Sequence, residues 1–214
     1  MSASAPPPPD RPVVLDTVVV NYFLASGHIA LLADLCGRPL LLPRSVFDPD
    51  EDDSGREEAM SELRRGLHLH RRRCEDDITP AELRDRSMRA LPEFERLPEL
   101  VASGMLRVVD LEPDELKVYA DLRSAPFVKR FGLVAGLGPG EAAMLAICAR
   151  RGWLPATDDT DAIRAATQLL PGVQPYRIRA LLRLAIDRGL VDLARAQSIH
   201  QAMRDLGFWD KGTL

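Results

Sequence analysis

The run Val13-Val14-Leu15 is apolar at every position, is closed by Asp16, and passes at once into Thr17-Val18-Val19-Val20-Asn21-Tyr22-Phe23-Leu24, which has helix-like spacing. No other feature constrains the fold as much. A strand without polar alternation has to be covered on both faces, which is the condition of a strand inside a parallel sheet. Asp16 is then a carboxylate at the C-terminal end of a buried strand. The alternation continues downstream. Pro39–Pro43, Gly104–Leu111, Trp153–Thr157 and Val173–Tyr176 read as further strands. Ile29–Leu35, Pro113–Leu122, Ala142–Arg151, Ala162–Leu170 and two helices within Arg177–Leu206 read as the segments between and after them. Strands alternating with helices predict an α/β fold with a mainly parallel central sheet, as one domain over residues 13–214.

Two segments break the pattern. Residues 1–12, with Pro6-Pro7-Pro8-Pro9, read as a disordered or polyproline leader. Residues 48–100 change in character. Asp48–Asp53 holds five acids in six positions, and Arg64-Arg65, His68, His70 and Arg71-Arg72-Arg73 follow. This stretch is expected to be a charged, mostly helical insertion. Arg71, Arg72 and Arg73 are candidate grips on an RNA backbone, because guanidinium forks match phosphate oxygens. The alternative for the basic stretch is a solvated helical face paired with Glu57, Glu58, Glu62 and Glu75.

Composition narrows the setting. No apolar run reaches the roughly 18 residues that a membrane-spanning helix needs, so no membrane role is expected. The first residues lack the basic and apolar regions of a secretory signal. Cys36, Cys74 and Cys148 lie far apart with no CxxC pair, which excludes a disulfide framework or zinc knuckle and fits a reducing cytoplasm. The net charge is −4, yet the cations are 25 arginines and 3 lysines. Local phosphate-binding patches are therefore compatible with an acidic total.

The chemistry-bearing residues share one address. Asp16 ends the first strand, Asp158 and Asp159 end a later one, and Glu141 lies in the first turn of the helix between them. Ligands of open parallel sheets bind at the carboxyl ends of strands. Carboxylates gathered there repel one another unless a cation is shared. An all-oxygen set favours Mg²⁺ or Mn²⁺ over zinc, and such clusters serve metal-assisted phosphodiester hydrolysis. The later acids also have a purely structural explanation, as a first-turn acid at Glu141 and as an N-cap at Asp158 or Asp159. Gly136-Leu137-Gly138-Pro139-Gly140 lacks the Lys-Ser/Thr of a P-loop, and Asp16-Thr17-Val18 lacks the Asp-x-Asp of a HAD phosphatase.

Val14-Leu15-Asp16-Thr17-Val18-Val19-Val20-Asn21 resembles the opening of a PIN domain, the nuclease fold of VapC-type toxins. Gly138-Pro139-Gly140-Glu141-Ala142-Ala143 is similar to the "GE" helix start of a compact PIN subfamily, and Leu154-Pro155-Ala156-Thr157-Asp158-Asp159 to its strand ending in paired acids. Ile178-Arg179-Ala180-Leu181-Leu182, Arg188-Gly189-Leu190-Val191 and Leu206-Gly207-Phe208-Trp209 are similar to that subfamily's C-terminal helices. The resemblance covers roughly residues 13–47 and 102–209. It implies a three-layer α/β/α domain and a Mg²⁺- or Mn²⁺-dependent endoribonuclease. Asp16, Glu141 and Asp158 would be metal-site acids, Asp159 or Asp161 a fourth acid or water-positioning group, and Asn21 a support for Asp16. It also implies the toxin role of a toxin–antitoxin pair, with RNA as substrate; an antitoxin protein and a second copy of the chain are candidate partners. One departure stands out. The family's second early glutamate, in the helix after strand two, has no counterpart in Ser45-Val46-Phe47-Asp48-Pro49-Asp50-Glu51, leaving Asp48, Glu51 or Glu58 as replacements. Without a replacement, a non-catalytic binding module is the alternative.

Overall fold

The computed structural model describes residues 9–51, 60–134, 136–210 and 212–214. Most of the proline-rich leader therefore lies outside the described residues, as does Glu58.

Four parallel strands form the centre: β1 (Val13–Leu15), β2 (Leu40–Pro43), β3 (Leu106–Val109) and β4 (Leu154–Ala156), in the order β3-β2-β1-β4. Val14 pairs with Leu41 on one side and with Pro155 on the other, and β2 runs in register with β3 from Leu40↔Leu106 to Pro43↔Val109. The chain steps outward from β1 through β2 to β3 and then returns to the far side of β1. The order thus reverses at β1 and β4, whose carboxyl ends border the switch-point crevice of an open α/β sheet. The strand expected over Val173–Tyr176 is reduced to one parallel bridge, Ala156↔Tyr176, held by Thr157 N–H to Tyr176 O and Tyr176 N–H to Pro155 O, both 2.9 Å. β4 itself has only three residues, which limits the pairing on its outer edge.

Helices cover both faces. α1 (Thr17–Ala25) and α2 (Ile29–Cys36) follow β1; α3 (Glu62–Glu75), α4 (Ala81–Glu95) and α5 (Leu97–Ala102) follow β2; α6 (Pro113–Leu122) and α7 (Ala125–Phe131) follow β3. α8 (Pro139–Arg151) leads into β4, and α9 (Thr160–Leu169), α10 (Ile178–Asp187) and α11 (Leu193–Asp205) complete the chain. Side chains alternate across a strand, and the core divides accordingly. Val13, Leu15, Leu40 and Leu42 pack with α1–α5, α10 and α11, whereas Val14, Leu41 and Val109 pack with α6, α8 and α9. The result is a three-layer α/β/α fold with a parallel sheet.

The charged stretch after β2 contributes to the same core as the sheet. Leu63 and Leu67 of α3, Ala90 and Phe94 of α4, and Leu97 and Leu100 of α5 are buried together with the sheet residues. Gly66 allows the close approach of the two longer helices, since a Cβ there would stand 3.3 Å from the Phe94 ring. No helix among the described residues is long and apolar enough to cross a membrane.

Candidate functional site

Four helix amino ends meet at the carboxyl edge of the sheet, and each brings an acid. Asp16 is the N-cap of α1: its Oδ1 accepts from Val19 N–H at 3.0 Å, and its backbone N–H joins Ala156 O at 3.1 Å. Glu62 is the first residue of α3, Glu141 lies in the first turn of α8, and Asp159 caps α9 by accepting from Ala162 N–H at 2.7 Å. Acids suit these positions because a helix presents partial positive charge and unpaired N–H groups at its amino end.

A chain of polar contacts links three of them. Thr17, next to Asp16, donates its hydroxyl to Glu62 Oε2, and the other Glu62 oxygen accepts from Gly140 N–H at 3.0 Å, beside Glu141. Glu62 is anchored from behind, where its own N–H reaches Ser45 O at 3.0 Å and that of Leu63 reaches Val46 O at 2.9 Å. The Gly-Pro-Gly-Glu motif now has a spatial reason. A Cβ at Gly140 would fall 2.5 Å from Glu62 Oε2, and one at Gly138 would collide with Glu141 Oε2. Both glycines let carboxylates lie against the backbone.

The electrostatics are unfavourable to the bare acids. Burial pushes the Asp16 carboxyl well above the ordinary range, and the charges of Glu141 and Asp158 push it further, while the Thr157 hydroxyl and Val19 N–H favour its anion. Burial, then the Glu62 charge, raises Glu141 to about 7, with Asp159 adding to the effect. Asp16 Oδ2 and Glu141 Oε2 are buried with no hydrogen-bond partner. Buried, unpaired carboxylate oxygens are costly, and a shared cation relieves both the lost hydrogen bonds and the repulsion. The donor set is all oxygen, which fits Mg²⁺ or Mn²⁺. Among the described residues, no group of three or more His, Cys, Asp or Glu side chains is arranged so as to hold a metal ion.

The remaining expected residues have other surroundings. Asp158 is fully buried at the end of β4, but both its oxygens are taken: Oδ1 by Arg177 Nε at 2.9 Å and Oδ2 by Ile178 N–H at 2.6 Å. It fixes the start of α10. Asp161 is also buried, and its Oδ2 accepts from Val134 N–H at 2.7 Å and Gly136 N–H at 3.2 Å, which holds the loop that delivers Gly138 and Glu141. Asn21 is half-buried one turn beyond Thr17 on α1. Arg71, Arg72 and Arg73 lie at the other end of α3, about 14 to 17 Å along the helix axis from Glu62, and Arg71 pairs with Glu95 at 3.4 Å.

Of the acids expected as replacements for the second glutamate, Asp48 and Glu51 have other partners, and Glu58 lies outside the described residues. Asp48 pairs with Arg44 at 2.6 Å, and Glu51 accepts from the N–H and hydroxyl of Ser61 at 2.6 and 2.8 Å. Glu62, in contact with Thr17 and Gly140, is the acid after β2 that lies beside Asp16 and Glu141. The alternative reading of the basic stretch pairs Glu62 with the arginines of its own helix, but its carboxylate instead contacts Thr17 and Gly140. The available signal was its place: Ser61-Glu62 stands before the spaced pair Leu63 and Leu67, a helix start like that at Glu141. No protein-family model, curated protein or solved structure matches this chain.

Proposed function

We propose that this protein is a PIN-like, Mg²⁺- or Mn²⁺-dependent endoribonuclease. The observation that carries the reading is the pair of buried, unpartnered oxygens, Asp16 Oδ2 and Glu141 Oε2, beside Glu62 at the switch point of a parallel sheet. Asp16, Glu62 and Glu141 would hold the cation, with Asp159 at the rim. A bound divalent cation lowers the pKa of water and stabilises charge developing on a phosphodiester. The chain's own residues do the rest. Asp16 is held rigid by capping α1. Glu62 is oriented by Thr17 and Gly140, and Glu141 carries a carboxyl whose affinity for a proton is already raised toward neutrality. The half-buried Asp159, charge-coupled to Glu141, is placed to orient a water.

The place of Glu62 beside Asp16 and Glu141 supports the nuclease over a non-catalytic module, the alternative that rests on a missing second glutamate. The resemblance to VapC-type proteins supports a further part of the proposal, that the chain acts on cytoplasmic RNA as a toxin restrained by a small antitoxin. The test is cleavage of a labelled RNA pool with Mg²⁺ or Mn²⁺ by wild type, Asp16→Asn and Glu62→Gln. Both variants should fold and lose activity by orders of magnitude. Cleavage that survives both substitutions, or survives EDTA, refutes the proposal.

A further inference from the structure

A cavity of about 330 Å³ adjoins the acid cluster, and its wall is built from the same segments. Ser61 precedes Glu62, Pro139 precedes Gly140, and Ser45 Oγ donates to Pro139 O at 3.2 Å between them. Most of the charge around the cavity is already satisfied. Arg44 is held by Asp48 and Asp110, each at 2.6 Å, and by Asp50 at 3.1 Å, while Glu51 is engaged by Ser61. Two guanidinium groups keep unused donors. Arg65 gives Nη2 to Met60 O at 3.0 Å, yet its Nε is buried with no partner. Arg123 is exposed and gives Nη1 to the Tyr119 hydroxyl at 2.7 Å, with its guanidinium 5.5 Å from that ring's centroid. A guanidinium has five N–H donors in a planar fork that matches a phosphate.

We propose that this cavity is the subsite for the phosphodiester neighbouring the scissile one, gripped by Arg65 and Arg123, with Tyr119 orienting Arg123. The inference rests on the reading of the acids as a ribonuclease centre. It moves the grip on the RNA backbone from Arg71–Arg73, at the far end of α3, to the side of the acids themselves.

The test is the affinity of a fluorescein-labelled, ten-nucleotide single-stranded RNA, followed by anisotropy in EDTA so that no strand is cut. Arg123→Ala and Arg65→Ala should each weaken binding at least about tenfold, since hydrogen bonds to charged groups are the strong ones. Each should also flatten the salt dependence by about 0.7 in the log–log slope. Arg123 is exposed, so its variant should keep the wild-type melting temperature, and Arg71→Ala should bind as wild type does. Wild-type affinity and slope in both cavity variants, or no RNA binding by wild type, overturns the subsite. If both cavity variants bind normally while Asp16→Asn and Glu62→Gln abolish cleavage, the subsite falls and the nuclease reading stands. If the cavity variants lose binding but wild type cleaves nothing with Mn²⁺, the cavity binds RNA backbone, but the nuclease reading and the subsite assignment that rests on it both fall.

Discussion

Replacing Glu141 by Gln should make the metal-free protein more stable at pH 8 and change its stability much less at pH 5. The side chain has an ordinary pKa of 4.5 and is pushed to about 7 by burial and by the neighbouring Glu62 charge. The unfolded chain therefore releases this proton before the folded chain does. Between those values the folded state holds the extra proton, so stability falls as pH rises from 4.5 to about 7, and the full penalty persists above that. The difference is about 2.5 units, and at about 1.36 kcal/mol per unit the ceiling is roughly 3 kcal/mol. The amide of Gln must itself be accommodated, which reduces the expected gain to about 1–2 kcal/mol at pH 8. Urea unfolding of wild type and Glu141→Gln in EDTA at both pH values measures it. A variant destabilised equally at pH 5 and pH 8 would show that Glu141 is an ordinary structural carboxylate, and the repulsion argument would fail.

Other substitutions probe separate parts of the account. Phe94→Ala should cost about 3–5 kcal/mol by urea unfolding, because Phe94 is fully buried and the helices after β2 share the sheet's core; a loss below about 1 kcal/mol would make them an appendage. Gly140→Ala should abolish cleavage while the fold persists, since the added methyl displaces the Glu62 carboxylate and presses on Val46, and full activity would refute the placement of Glu62. Arg177→Ala should destabilise by about 1–3 kcal/mol, because it leaves the buried Asp158 carboxylate without its ion partner while that arginine is itself partly exposed. An unchanged urea midpoint would contradict this assignment of Asp158.

The inner strands β1 and β2 were legible because they are unalternating apolar runs, and such runs require burial on both faces. Val13–Leu15 and Leu40–Pro43 were therefore recognisable, and Asp16 was legible as the polar end of one of them. Tyr176 shows the limit: local β propensity could not tell a single bridge from a strand, because pairing depends on the length of the neighbouring edge. Glu141 was legible from Gly-Pro-Gly at a helix start. Glu62 was misread because its surroundings depend on the first turn of α3 meeting the amino ends of α1 and α8, a relation across 45 residues to Thr17 and 78 to Gly140. Asp158 shows the converse. Its position after β4 suggested a ligand, but the partner that claims it, Arg177, comes 19 residues later. Local sequence reports where an acid sits along an element, whereas the direction it faces is decided by packing.

The most direct measurement is Mn²⁺ binding, followed by the loss of the free-ion electron paramagnetic resonance signal, for wild type, Asp16→Asn, Glu62→Gln and Glu141→Gln at pH 8. The account predicts saturable binding to wild type that is weakened at least about tenfold in each variant, because an amide is a poorer ligand for a hard cation than a carboxylate. Arg71→Ala, far along α3, should bind as wild type does. Equal binding in all five proteins, or none in wild type, would contradict the claim that Asp16, Glu62 and Glu141 form one cation site.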